Sequence, residues 1–75
     1  MPRITPISWQ RLENVFLTGF EFARQEGSHR SYTKPGILRP VVIPTYDEIS
    51  VSIISTNLKT AGISREEYFR LLAET

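Results

Sequence analysis

Phe20-Glu21-Phe22-Ala23-Arg24-Gln25-Glu26-Gly27-Ser28-His29-Arg30-Ser31-Tyr32-Thr33-Lys34 is the stretch on which the fold turns. Residues 20 to 25 alternate with period two. Phe20, Phe22 and the stem of Arg24 fall on one side, and Glu21, Ala23 and Gln25 on the other, as in a strand with one face toward a core. Glu26-Gly27 then reads as a tight hairpin turn, with the glycine supplying positive φ. Ser28 to Lys34 forms the return strand. Tyr32 is its natural core residue, which places Ser28, Arg30 and Lys34 on the core side and His29, Ser31 and Thr33 opposite. The only histidine of the chain is therefore expected to face away from the core.

Working outward, Ser8 is a good N-cap for a helix over 9–18, whose Trp9, Leu12, Val15 and Phe16 share one face. Gly19 is expected to close it in the left-handed conformation. After the hairpin, Pro35-Gly36 is a turn dipeptide and Leu38-Arg39-Pro40-Val41-Val42-Ile43 a third strand, its proline near the start. Pro44 to Ile49 has no period. Ser50 then caps a second helix over 51–61, with Val51, Ile54, Leu58 and Ala61 at helical spacing and Gly62 as its stop. Ser64 and Glu67 form a capping-box pair ahead of a short C-terminal helix with Tyr68, Phe69, Leu71 and Leu72 on its apolar side. The order α-β-β-β-α, plus that last helix, predicts an α+β fold. In it a three-stranded antiparallel sheet has two helices on one face and the other face open.

The chain has 75 residues and reads as a single domain, 1–75, with a lead-in over 1–7. Without cysteine it has neither a disulfide framework nor a thiolate for zinc, which fits a reducing, cytoplasmic setting. No apolar run suggests a signal peptide or a membrane span. Nine Lys+Arg against eight Asp+Glu leave a net charge of +1, too balanced to argue for nucleic acid by itself. Between Arg24 and Arg39, however, the cations Arg24, Arg30, Lys34 and Arg39 face only Glu26, so the histidine lies in the locally basic third of the chain.

An open sheet face with His29, Ser31 and Thr33 beside cations suits a phosphate-bearing ligand, and RNA is the specific expectation. Cleavage needs a base to take the 2′-hydroxyl proton, an acid to protonate the leaving 5′-oxygen and cations to hold the phosphate. Histidine can serve in either proton role but not in both at once. Water, Ser28 or Tyr32 is left for the other, and Arg24, Arg30 and Lys34 are the expected phosphate contacts. Each has a plainer alternative. A strand histidine is often just a surface residue, edge cations discourage sheet-to-sheet pairing, and Trp9 suits a core as well as a stacking platform. One histidine with dispersed carboxylates matches no metal-ligand spacing, so neither metal nor cofactor is expected.

The order of motifs adds a resemblance. A capped helix ending in Gly19-Phe20 is followed by Arg24-Gln25-Glu26-Gly27-Ser28-His29-Arg30-Ser31-Tyr32 and then by Arg39-Pro40-Val41-Val42-Ile43-Pro44. A helix closing on Ala61-Gly62-Ile63-Ser64-Arg65-Glu66-Glu67-Tyr68-Phe69 completes the series. This series, from about Ser8 to Leu72, resembles the HicA-type toxin family of toxin-antitoxin modules. The resemblance implies a fold like that of double-stranded-RNA-binding domains and an mRNA-cleaving ribonuclease activity. It also implies His29 as the catalytic residue after a matching Gly27-Ser28 turn, and a HicB-type antitoxin as partner. The chain departs from many members in being nearly neutral and in opening its second long helix with Ser50-Val51-Ser52. The residues alone leave open two other readings, a non-catalytic module that binds double-stranded RNA by shape and a protein-interaction domain.

Overall fold

The computed structural model describes residues 3–75; Met1 and Pro2 of the expected lead-in lie outside the described residues. Its elements are α1 (Trp9–Leu17), β1 (Glu21–Glu26), β2 (His29–Thr33), β3 (Val41–Pro44), α2 (Val51–Ala61) and α3 (Arg65–Glu74). The strands form an antiparallel sheet in the order β1-β2-β3. α1 and α2 pack on one face of it, α2 chiefly against β3, and α3 packs on α1. This is the expected α+β arrangement. The C-terminal helix is not short, however, since its ten residues exceed the nine of α1.

The core lies between the sheet and the helices. Leu12, Val15 and Phe16 of α1 and Ile54 and Leu58 of α2 meet Tyr32, Val41 and Ile43 from the strands. The lead-in belongs to this body as well. Ile7 bridges Ile49, whose N–H donates to the Ile7 carbonyl at 2.7 Å, and Ile4 and Ile7 pack against the core. That bridge anchors the aperiodic loop after β3.

Local chemistry accounts for most element ends. The side chains of Ser8, Ser50 and Ser64 each accept a first-turn N–H, from Arg11, Ile53 and Glu67. Only half of the expected capping box forms, because the Glu67 carboxylate turns to Arg70 at 3.1 Å instead of reaching back. Gly62 ends α2 with φ 71°, and the Ile63 N–H reaches the Leu58 carbonyl at 3.0 Å.

Gly19 corrects an expectation, since it is not among the glycines with positive φ. α1 instead closes right-handed at Thr18. The Thr18 hydroxyl donates to the Val15 carbonyl, while the Gly19 and Phe20 N–H groups share the Phe16 carbonyl. The third strand is also shorter at its start than expected. Residues 38–40 precede the ladder, Leu38 is fully exposed, and pairing begins only after Pro40, which has no N–H to donate.

Candidate nucleic-acid interface

The hairpin turn sits one residue later than the sequence suggests. Glu26 pairs with His29, so Gly27-Ser28 is the turn and His29 is the first residue of β2. Gly27 has φ 58° and no described non-glycine residue has positive φ, the pattern of a turn with a left-handed first central position.

Both turn carbonyls are held. Gln25 Nε2 donates to the Gly27 carbonyl at 2.9 Å. The Ser28 carbonyl accepts from the Thr45 N–H at 2.7 Å and the Thr45 hydroxyl at 3.2 Å. Pro44 stands opposite His29 and cannot donate, so Thr45 makes the bond just beyond it.

A bulge decides which side chains accompany the histidine. The register runs Phe22 with Tyr32, Arg24 with Ser31, Gln25 with Arg30 and Glu26 with His29, leaving Ala23 as the extra residue. Arg24 is thereby moved off the Phe22 side, where strict alternation put it, and onto the open face. That face carries the exposed His29 with Ser31 and Thr33 from β2, Arg24 and Glu26 from β1, and Val42 from β3. Arg24 Nε lies 3.2 Å from Glu26 Oε1, both side chains being about 70% exposed (72% and 70%). A pair this open contributes roughly 0–1 kcal/mol and yields readily to a phosphate. The His29 side chain makes no hydrogen bond or ion pair with another described residue.

Three expected site residues stand elsewhere. Tyr32 is completely buried on the helix side, its hydroxyl donating to Glu13 Oε2 of α1. Burial, followed by that hydrogen bond, pushes the hydroxyl up to about 12. Tyr32 is thus separated from His29 by the sheet itself.

Arg30 lies on the same inner side. Its Nε donates to Glu13 at 2.9 Å and to the Tyr32 oxygen at 3.1 Å, and its Nη1 to Gln25 at 2.7 Å. The guanidinium carbon sits 5.3 Å from the Trp9 ring centroid and 4.3 Å from that of Phe22. The bond to Tyr32 is the main cause of its raised pKa. Lys34 folds over Phe20, its Nζ 5.7 Å from the ring centroid, beside Gly19. Of the cations named from the sequence, Arg24 alone shares the face of His29.

Glu13, Gln25 and Thr45 were not legible as site residues. Together they form a line from α1 through Arg30 and Gln25 to the Gly27 carbonyl, with Thr45 closing the other side of the turn. A carboxylate on the inner side of α1, opposite a core-side arginine, was the one available signal for Glu13. Among the described residues no group of three or more His, Cys, Asp or Glu could hold a metal ion, and no helix is long and apolar enough to cross a membrane.

No curated protein matches the chain. The family model described as the HicA toxin of bacterial toxin-antitoxin systems matches residues 15–63, which run from the last turn of α1 through the whole sheet and α2 and include His29. With a match over more than half of its length, bearing the α-β-β-β-α order and the histidine-bearing hairpin, the chain belongs to the HicA toxin family.

Proposed function

We propose that this toxin is an endoribonuclease that cleaves mRNA on the open face of its sheet, with His29 as the proton-transfer group. The observation that carries this reading is the exposed imidazole at the head of β2, directly after a turn whose two carbonyls are both tied down. A fixed backbone limits the imidazole to its own side-chain rotations, and positioning of this kind is a large part of what an enzyme supplies.

In the reaction the 2′-oxygen attacks the adjacent phosphorus as its proton leaves. The bond from phosphorus to the 5′-oxygen breaks, and a proton is delivered to that oxygen. His29 takes one of these proton roles. Ser28 adjoins it in the turn, and Glu26, the cross-strand partner of His29, is a carboxylate directly opposite it on the same face. Either of these, or water, serves the other role better than the buried Tyr32. Arg24 is the phosphate contact; Arg30 and Lys34 act within the fold. No metal or cofactor is required by this chemistry. The antitoxin that the family implies is, in this reading, of the HicB type, and it inhibits by covering the open face in the cytoplasm.

The test uses the purified chain and a defined single-stranded RNA. Products ending in a 2′,3′-cyclic phosphate, formed without added metal and lost in His29→Ala, support the reading. Unchanged cutting and growth inhibition by His29→Ala refute it.

A further inference from the structure

On the helical layer, the lead-in segment, α2 and the α2–α3 link enclose a cleft of about 540 Å³. Ile4, Val51, Leu58 and Ile63 give it an apolar floor, and Arg3 and Lys59 stand at its rim. Among the described residues no carboxylate lines it. On its other side Lys59 also lines a shallower depression with Arg39 and the fully exposed Leu38, again without an acidic residue. Cations from three separate segments thus border two neighbouring depressions that share Lys59.

Lys59 by itself signals little, because a lysine in the last turn of α2 also suits the negative end of the helix. Arg3 and Arg39 belong to no helix, and neither makes an ion pair with a described acidic residue. Val51 and Leu38 are the exposed apolar side chains along these two depressions, and a rim of one sign selects the charge of what covers it.

We propose that this cleft docks an acidic, amphipathic segment of a protein partner, with apolar side chains over Leu58 and Ile63 and carboxylates at Arg3 and Lys59. The apolar floor favours protein over nucleic acid, whose binding rests on phosphate contacts. Membership of a toxin-antitoxin family supplies a protein partner. The cleft lies on the helical layer, whereas His29 lies on the opposite face of the sheet. A segment seated in the cleft therefore leaves the imidazole uncovered, and this contact adds grip and partner selection without blocking the site itself.

Two short synthetic peptides test this against the intact chain by amide chemical-shift mapping. One has leucines along one helical face and glutamates on the other; its counterpart has lysines for the glutamates. The acidic peptide is expected to shift the amides of Ser55, Leu58, Lys59 and Ile63, more strongly at low salt, while the basic peptide leaves them unmoved. Lys59→Glu and Arg3→Glu, both at exposed positions, are each expected to weaken binding by about tenfold, as when one interfacial charge pair turns repulsive. Unchanged β2 amides verify the fold of each variant. The proposal is overturned if neither peptide shifts the cleft, if both do so equally, or if a single-stranded RNA shifts these amides and the acidic peptide does not. None of these outcomes bears on cleavage by His29.

Discussion

The two faces of β2 treat adjacent residues in opposite ways: His29 stands exposed beside Arg24 and Glu26, whereas Arg30 is gripped by Glu13, Tyr32 and Gln25 and lies against Trp9 and Phe22. A proton-transfer group must meet its substrate, and a partly buried cation must meet its counter-charge. A strand satisfies both at neighbouring positions because successive side chains point to opposite faces. The inner cluster is also connected to the outer site through the backbone, since Gln25 bonds both Arg30 and the turn carbonyl just before His29. Stability and chemistry should therefore respond to different residues, and variants can break or sharpen that division.

The largest expected effect is on rate. His29→Ala should lower RNA cleavage by roughly 10²- to 10⁴-fold, the usual worth of a general acid or base. Its unfolding free energy should change by no more than about 0.5 kcal/mol, as for an exposed residue without partners. Cleavage assays and denaturant titration on the same variant check both halves.

The reverse is expected of Glu13→Ala. It strands the Arg30 charge and removes the acceptor of a buried hydroxyl, for a loss of about 2–3 kcal/mol in urea unfolding. Glu13→Gln should recover part of this through its amide oxygen. If Glu13→Ala leaves stability unchanged, the inner cluster is not what holds α1 to β2.

Alkaline pH probes the same cluster. The Tyr32 hydroxyl ionises near 10 in the unfolded chain and is pushed up to about 12 in the folded one, so folding favours its neutral form. The associated stability is fully present below pH 10 and is lost as pH rises through 12, on the order of 2–3 kcal/mol in all. Tyr32→Phe, although less stable at neutral pH, should lack this alkaline loss in unfolding curves collected between pH 9 and 12.

The smallest effect belongs to Arg24→Ala. Its exposed pair with Glu26 contributes little to the fold, so stability should stay within about 0.5 kcal/mol. RNA affinity should fall, and the slope of log affinity against log salt should become shallower by about 0.7, the value for one phosphate contact on a single strand. An unchanged salt slope would remove Arg24 from the interface.

Much of this was legible from residues alone. Serine caps and glycine stops place α2 at Val51–Ala61 as expected, because their bonds are local. Period two around Tyr32 correctly buries the phenol and exposes His29. The motif series from Gly19 to Phe69 pointed to the family that residues 15–63 match. Local reasoning failed where a distant group decides. Arg24 reads as an inner-face residue until the bulge at Ala23 moves it outward, and strand alternation contains no sign of an unpaired residue. Arg30 and Lys34 read as phosphate contacts because they are cations near a histidine in the chain. Their counterparts, Glu13 and Phe20, lie on segments that only folding brings alongside.

The sequence by itself determined the element order, the capped helix starts, the hairpin and the outward imidazole, since each depends on contacts within a few residues. Only the tertiary structure decided which cation shares the face of His29, how Gln25 and Thr45 fix its turn, and that Tyr32 and Arg30 belong to the inner cluster with Glu13. Those outcomes depend on cross-strand register and on the docking of α1, and both are fixed by packing between segments far apart in the chain.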